Sequence, residues 1–194
     1  MAKPEMDNTL LALRACMDQD GLAAGLRFLN QRVPHRFTGF YQLRDATLHN
    51  VGLFDKLGEI APEALLAVPL TSSFCQFVLR DGCMLIDHSG QDARLNGHPY
   101  QGILNSCIGL PLTHSGADLQ GTLCHFDFEP IEVPQHEHEF LRKAALERNH
   151  CRAHARVLGD GGRRHADLRR ADEARHVAAI HEGMLTIRRV TDRH

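Results

Sequence analysis

Between Cys107 and Pro130 the sequence reads CIGLPLTHSGADLQGTLCHFDFEP, two apolar runs separated by a short polar turn. Runs of strand length on either side of a glycine-bearing turn predict a β-hairpin, with strands at about 106–113 and 119–128. The glycines permit a tight turn and close packing of a strand against a helix. We therefore interpret Cys107 and Cys124 as small core residues that face helices.

The first third of the chain combines a helical pattern with a second hairpin. Leucines recur at helical spacing over residues 8–33, with an interruption near Asp20-Gly21. The following segment, RFTGFYQLRDATLHNVGLFD, is rich in aromatic and β-branched residues and predicts strands at 37–44 and 47–55. Four residues of the first of these strands alternate onto one face: Phe37, Gly39, Tyr41 and Leu43.

The middle and the end of the chain are mostly helical by pattern. One short helix is predicted in APEALLAVPL and another in TSSFCQFVLRDG, which begins with N-cap residues and ends at Gly82. The apolar run CMLIDH predicts a buried strand at 83–88, and a long amphipathic helix is predicted from Val133 onward. Residues 159–194 are charged and poor in large apolar side chains, so they form either a helix on a partner or a disordered tail.

Composition narrows the class of protein. With 194 residues and 43% hydrophobic residues, the chain is long enough for one packed domain. A formal charge of -2 argues against a nucleic-acid or membrane-surface protein, which usually carries a basic face. We find neither a signal-peptide pattern nor an apolar run of 18 residues. The six cysteines lack paired CxxC spacing, which is typical of reduced thiols in a cytoplasmic protein.

The order of elements predicts an α+β domain at residues 8–158. Its five to six mostly antiparallel strands form one sheet, with the terminal helices on one face. The segment 61–105, a series of loops and short helices, covers the other face as a roof. Small ligands tend to occupy the concave space under a roof of this kind.

The segment 72–130 resembles a GAF domain, a PAS-like sensory fold. The matching elements, in the family's order, are Phe74-Cys75 in a helix, Asp87 at a strand end, Asp92-Ala93-Arg94 in a loop, Gly109-Leu110-Pro111-Leu112 in one strand and Gly121-Thr122-Leu123-Cys124 in another. The weaker resemblance extends from about residue 10 to 158. The resemblance predicts the fold and does not identify a ligand, because the family binds many different molecules.

The resemblance also implies a pocket between the sheet and the roof. By position, ten residues are expected to line it: Phe74, Cys75, Val78, Asp87, Arg94, Tyr100, Ile103, Leu104, Cys107 and Phe126. An arginine in such a loop can pair with a carboxylate or phosphate. We favour the alternative that Asp92 and Arg94 fix their own loop.

Special chemistries of the family find little support in the residues. Bilin-binding relatives attach their chromophore to a cysteine where this chain has Arg94, and the pattern of cyclic-nucleotide binders is missing. Haem requires an axial histidine, for which His88 and His98 in the roof loop are the candidates. The HEHE sequence at 136–139 has no third zinc ligand at a convincing spacing, so we interpret it as a solvated first helical turn and expect no metal.

The resemblance leads us to expect a cytoplasmic, non-enzymatic sensory module that binds an unidentified small molecule and has no known cofactor. Its terminal helices are expected to form a homodimer and to signal to a downstream protein, with no nucleic-acid or membrane partner. Two alternatives remain open. One is a thiol redox enzyme resembling free methionine sulfoxide reductase, acting through Cys75, Cys83 or Cys107. The other is a dimerisation scaffold without a ligand.

Overall fold

The computed structural model describes residues 3–58, 65–114 and 118–147, and in them we number helices and strands in chain order. The helices are α1 (Lys3–Asn30), α2 (Cys75–Asp81) and α3 (Gln135–Glu147). The strands are β1 (Phe37–Arg44), β2 (Thr47–Asp55), β3 (Ala67–Pro69), β4 (Met84–Ile86), β5 (Ser106–His114) and β6 (Asp118–Asp127). The predicted tail at 159–194 and the predicted break near Gly159 lie outside the described residues.

The strands form one antiparallel sheet in the order β3-β2-β1-β6-β5-β4. Both predicted hairpins are confirmed, and β1 and β2 have the predicted bounds. The β1–β2 turn has positive φ at both central residues, 46° at Asp45 and 61° at Ala46. This geometry is the type I′ turn, whose twist matches that of the flanking strands.

Glycines act at four points of the framework. Gly21 (φ 79°) interrupts α1 where the sequence predicts a break, and Gly82 (φ 80°) ends α2 as predicted. The predicted strand-to-helix packing occurs at Gly109, where an added Cβ would lie 2.3 Å from Val78 Cγ2. Gly121, in contrast, packs against a neighbouring strand, since a Cβ there would lie 1.9 Å from the Tyr41 carbonyl oxygen.

Each face of the sheet carries its own apolar core, as the α+β prediction requires. On one face α1 and α3 pack on the sheet through residues such as Leu26, Phe140 and Leu141. On the other face α2 and the roof cover Phe37, Met84 and Phe126. Among the described helices, none has the length and apolar character needed to cross a bilayer.

Two predictions for this framework are wrong. Residues Ala67–Pro69, assigned to a helix in APEALLAVPL, instead pair with Thr47–His49 at the edge of the sheet. Residues 61–64 of that segment lie outside the described residues. The free backbone groups of β2 explain this outcome, because pairing with an edge outweighs a weak helical propensity. Cys107 and Cys124 are core residues, but they face the roof and not the terminal helices.

A cavity between the sheet and the roof

A cavity of about 60 Å³ lies between the sheet and the roof. Among the described residues, twelve line it: Tyr41, Leu48, Leu65, Val68, Ser73, Phe74, Cys75, Tyr100, Leu104, Cys107, Cys124 and Phe126. None of these twelve is a charged residue, so the described part of the lining is apolar with a few neutral polar groups.

Strand alternation places the sheet side of this lining. Cys124 of β6 pairs with Gly39 of β1 and with Gly109 of β5. Phe126 of β6 pairs with Phe37 of β1 and with Cys107 of β5. Directly paired residues project to the same face of an antiparallel sheet, so the row of side chains from Phe37 to Cys107 faces the roof. The two glycines beside Cys124 let neighbouring side chains pack closely, Tyr41 over Gly39 and Val78 over Gly109. Phe37 stacks on Phe126 with ring centroids 5.0 Å apart.

Helix α2 supplies the opposite wall through its first residues. Ser73 Oγ accepts a hydrogen bond from the Cys75 backbone N–H at 3.0 Å, in a turn that leads into α2. The side chain of Val78, one turn further along, packs on Gly109 and is 1% exposed. This contact holds α2 close to β5, so Cys75 and Phe74 project towards the cavity.

The roof segment 89–105 is joined to the sheet at both ends. The Ser89 N–H donates to the Asn105 carbonyl oxygen at 2.8 Å, and Ser89 Oγ accepts from the Gly102 N–H at 2.9 Å. The Asn105 side-chain amide donates to the Phe128 carbonyl oxygen at 2.8 Å. The Asn105 backbone N–H donates to the Asp127 carbonyl oxygen at 2.9 Å. The ends of this loop are therefore fixed, and a series of short-range backbone hydrogen bonds, such as His98 N–H to the Leu95 carbonyl oxygen at 2.8 Å, orders its interior.

Aromatic contacts hold the middle of the roof. The His98 ring lies 4.7 Å from the Phe74 ring, 5.6 Å from Tyr100 and 5.9 Å from Phe77, measured between centroids. Burial lowers the pKa of His98 from its ordinary value. Tyr100 is 4% exposed, and its hydroxyl has no hydrogen-bond partner among the described residues. A buried hydroxyl without a partner is uncommon in folded proteins.

Three thiols form a connected group under α2. Cys75 Sγ lies 3.1 Å from Thr122 Oγ1 and 3.5 Å from Cys124 Sγ. The hydrogen bond to Cys124, followed by burial, raises the pKa of Cys75 well above its usual value. A hydrogen bond with Cys107, together with burial, raises that of Cys124. Cys75 and Cys124 therefore remain protonated and weakly nucleophilic at neutral pH.

Of the ten residues expected from the resemblance, the structure brings six to the cavity: Phe74, Cys75, Tyr100, Leu104, Cys107 and Phe126. Val78 and Ile103 belong to the same apolar core without lining the space. Asp87 is exposed. Arg94 pairs with Asp92 at the surface and donates to the Leu85 carbonyl oxygen at 2.7 Å, so this pair fixes its own loop as we favoured.

Six lining residues are missing from the sequence prediction: Tyr41, Leu48, Leu65, Val68, Ser73 and Cys124. The alternation of β1 already placed Tyr41 on one face with Phe37, and this signal was sufficient to include it. Val68 was assigned to a helix and Cys124 to the opposite face of the sheet. Register and edge pairing, which depend on the whole sheet, decided both positions.

Behind the cavity, on the helix-facing side of the sheet, lies a buried polar chain. The Asn30 side-chain amide donates to Thr38 Oγ1 at 2.8 Å, and Thr38 Oγ1 lies 2.7 Å from His125 Nδ1. Since the Thr38 hydroxyl accepts from Asn30, its own proton points to Nδ1, and neutral His125 carries its proton on Nε2. His125 and its neighbour His35 are both fully buried. The chain connects β6 directly to the end of α1.

The candidate metal and haem residues occupy other surroundings. Glu137 of the HEHE sequence forms an ion pair with Arg32 at 2.8 Å and is partly buried, as is His138, so the expected solvated turn is wrong at these two positions. Within the described part of the chain, no group of three or more His, Cys, Asp and Glu residues is arranged to hold a metal ion. His88 is exposed, and neither it nor His98 lines the cavity.

Comparison with known proteins gives a consistent fold and no close relative. No family model matches the sequence, and no curated protein matches it significantly. Similar solved structures include the GAF domain of an Acinetobacter phosphoenolpyruvate-protein phosphotransferase, with a TM-score of 0.60 and 16% identity over 77% of this chain and 92% of that one. A putative GAF sensor protein from Burkholderia vietnamiensis gives 0.58 and 13% over 76% and 93%.

A third similar structure is the free methionine-R-sulfoxide reductase of Neisseria meningitidis in complex with its substrate. Its TM-score is 0.58, with 15% identity over 74% of this chain and 86% of that one. Identities this low establish a shared architecture and not a shared activity. The six-stranded antiparallel sheet, with terminal helices on one face and a roof on the other, is the fold of a GAF domain.

Proposed function

We propose that this chain is a cytoplasmic GAF-type sensory module that binds a small molecule between its sheet and its roof. The observation that carries the proposal is the cavity of about 60 Å³ at that position, whose described lining is apolar apart from a few neutral polar side chains. Pockets that combine an apolar lining with a few polar groups are the usual form of small-molecule sites.

Connections through the sheet support a signalling role. Cys124 lines the cavity on one face of β6, and the next residue, His125, contacts Thr38 on the other face. Through Thr38 the chain of hydrogen bonds reaches Asn30 at the end of α1. A ligand that prefers one position of β6 and the roof would thereby shift the population of helix arrangements. We propose that α1 and α3 pass this shift to a second copy of the chain and to a downstream protein.

A cavity-filling variant tests the proposal. Thermal unfolding is measured with a panel of nucleotides, amino acids and neutral metabolites, for wild type and for Cys107→Met, whose longer side chain fills the space. A true ligand at 100 times its Kd raises the Tm of wild type by about 5–10 °C through mass action. The rise should disappear in Cys107→Met.

The same substitution at a distant cysteine is the control. Cys16 lies on α1, partly exposed, and Cys16→Met should keep the full ligand response. A panel without any response, or a response that persists in Cys107→Met, contradicts the proposal and favours the scaffold alternative.

A second candidate function is a thiol redox enzyme, which the contact between Cys75 and Cys124 and the fold shared with the Neisseria reductase favour. Burial and raised pKa values of these thiols argue against it, because attack requires an accessible thiolate. Timed alkylation followed by peptide mapping separates the two functions. We expect rapid labelling of the exposed Cys83 and slow labelling of Cys75, Cys107 and Cys124. Rapid, oxidant-sensitive labelling of the buried group would favour the enzyme.

A further inference from the structure

We propose that His35 and His125 form a proton-operated latch for α3, and that acid releases α3 while the sheet and the roof stay folded. This inference goes beyond the proposed function, because it requires no ligand in the cavity. It assigns a second input, the proton, to the layer formed by α1 and α3. Three observations support it: the surroundings of the two rings, the polar chain at His125, and the attachment of α3.

The two rings meet on the helix-facing side of the sheet. His35 lies in the loop between α1 and β1, His125 lies on β6, and their ring centroids are 6.4 Å apart. Both residues are 0% exposed. Among the described residues, neither ring nitrogen of His35 and not Nε2 of His125 has a hydrogen-bond partner. A charged ring in these surroundings would lack hydration, so each ring takes up a proton readily only when the layer opens to water.

A lysine adds to the cost of charging either ring in place. Lys56 Nζ donates to the carbonyl oxygens of residues 33–34, at 2.6 and 3.0 Å, which holds its ammonium group beside the loop that contains His35. This cation repels a positive charge on His35 and on His125. Protonation in the closed structure would therefore place like charges close together.

The acid that acts on His35 already has other partners. Asp127 attracts a positive charge on His35, but its Oδ2 accepts from the Arg36 backbone N–H at 2.7 Å and its Oδ1 from the Glu129 N–H at 3.1 Å. The neighbouring carboxylate of Asp55 is paired with the Arg36 guanidinium at 2.7 Å. These bonds fix both carboxylates, so neither can turn to pair with His35 without losing bonds that it already makes.

Protonation of His125 also breaks the polar chain on this side of the sheet. The added proton must go to Nδ1, which accepts from the Thr38 hydroxyl at 2.7 Å in the neutral ring. Thr38 Oγ1 in turn accepts from the Asn30 amide at 2.8 Å. A proton on His125 therefore disrupts the bond that joins β6 to the end of α1.

Helix α3 is attached to this region by side chains. Arg32 forms an ion pair with Glu137 at 2.8 Å, and its guanidinium lies 4.0 Å from the centre of the Phe140 ring. His138, on the same first turn of α3, acts electrostatically on His35 and opposes a positive charge there. The first turn of α3 thus lies beside the loop that contains His35, and charge on that ring acts directly on the helix.

The neighbouring segments are held by hydrogen bonds that involve the backbone. The Asn30 amide donates to the carbonyl oxygens of His35 and Arg36, at 3.1 and 3.3 Å, which fixes the loop. Before α3, the Ile131 N–H donates to the Asp87 carbonyl oxygen at 3.1 Å. The loop and the start of this connection can therefore stay in place while α3 swings away about residues 132–134.

Linkage gives the direction and the size of the effect. Burial lowers the pKa of His35 to about 4 and that of His125 to about 3, and opening returns both to 6.5. Opening thus takes up protons and becomes more favourable below pH 6.5. Between pH 7 and pH 5 each ring raises the opening constant about 20-fold, and the two together raise it about 500-fold. Because pH 5 lies above both folded-state values, this result depends little on them.

Amide hydrogen exchange of the full chain at pH 7, 6 and 5 tests the latch, after correction for the intrinsic pH dependence of exchange. We expect the opening constant of the α3 amides at 140–145 to rise about 500-fold over this range. At each pH these amides should open with a lower free energy than the amides of β5 and β6. The open form should remain a minor population down to pH 5.

Two substitutions test the assignment to these rings. His35→Asn and His125→Asn each remove one proton-binding group and should reduce the rise to about 20-fold, and the double variant should abolish it. Asparagine at 125 keeps an acceptor near the position of Nδ1. His88→Asn, at an exposed histidine of the roof, is the control and should keep the full rise. Circular dichroism establishes folding, and glutamine variants replace any asparagine variant that is unfolded.

The outcomes are independent of the proposed ligand. Equal opening free energies for α3 and for the strands at every pH would show unfolding of the whole domain without release of α3, and this wild-type result alone overturns the inference. A rise of less than fivefold, or one that persists undiminished in the double variant, also overturns it. Failure of every compound to bind the cavity contradicts the proposed function and leaves this test unaffected.

Discussion

Individual side chains set the size and the stability of the cavity, and Leu104 shows both effects. This residue is 9% exposed and lines the space from the roof side. Replacing it by alanine enlarges the cavity and removes buried methyl groups. We expect Leu104→Ala to lower the free energy of unfolding by about 2–5 kcal/mol.

The same change should admit larger neutral rings, so that benzene-sized probes bind more tightly to Leu104→Ala than to wild type. Urea unfolding and methyl-shift titration measure the two effects. Leu85→Ala, at a leucine that is 37% exposed, is the matched control. It should change the free energy of unfolding and the affinity for larger rings only slightly. A gain of stability in Leu104→Ala, or unchanged binding of larger rings, would contradict this account of the cavity.

Also at the residue scale, the two histidines behind the sheet make stability depend on pH. Burial, with contributions from His35 and Lys56, lowers the pKa of His125 from 6.5 to about 3. Burial lowers the pKa of His35 to about 4, with Lys56 and His138 acting in the same direction and Asp127 opposing them. Both groups therefore bind protons more weakly in the folded state than in the unfolded state.

The sign follows from linkage. The stability contributed by neutral His35 and His125 is complete above pH 6.5 and is lost as the pH falls towards 4 and 3. Each group lowers the free energy of unfolding by up to about 1.4 kcal/mol per pH unit below 6.5. In wild-type protein, ring proton shifts of His125 should stay constant between pH 8 and 5. Titration of His125 near pH 6.5 would contradict its burial in the folded state.

At the scale of elements, the β1–β2 turn stores a small strain. Ala46 has a φ of 61°, in the left-handed region, where a Cβ is unfavourable and glycine is not. Ala46→Gly converts the turn to Asp-Gly, a favoured type I′ sequence. We expect this variant to raise the free energy of unfolding by about 1 kcal/mol, measured by urea unfolding. A loss of stability would mean that the two residues do not adopt this turn.

The roof loop is a second element with a specific test. Asn105 is 8% exposed and ties the loop to the strand end through its bond to the Phe128 carbonyl oxygen. In Asn105→Ala we expect faster hydrogen exchange throughout residues 90–104, because the end of the loop loses its side-chain bond and keeps only its backbone bonds. Asn96→Ala is the control, since Asn96 is exposed and accepts a long bond from Gln101. Equal exchange in both variants would show that Asn105 does not anchor the roof.

At the scale of the whole molecule, the cavity and the helix layer lie on opposite faces of the same two strands. If ligand binding acts through β6, hydrogen exchange should slow in the roof and also at the end of α1, near Asn30. Thr38→Val breaks the hydrogen-bonded chain between His125 and Asn30. It should abolish the slower exchange at the end of α1 and keep the slower exchange in the roof. Protection confined to the roof in wild type would contradict transmission through this chain.

Local sequence was sufficient for much of the architecture. The β1–β2 hairpin, the ends of β5 and β6 and the break at Gly21 depend on turn residues and on alternation over a few positions, and the structure confirms them. The family resemblance, and not local pattern, suggested Phe74, Cys75 and Tyr100, and all three line the cavity. That they bind a ligand stays a prediction.

Tertiary structure decided the rest. Residues 67–69 became a strand because β2 offered an unpaired edge, and Cys124 faces the roof because the register of three strands sets its side of the sheet. The volume of the cavity, the partnerless Tyr100 hydroxyl and the buried chain from Asn30 to His125 arise from contacts between residues up to about ninety positions apart. Patterns read along the chain report local preference and periodicity, and they contain no direct record of which distant groups meet.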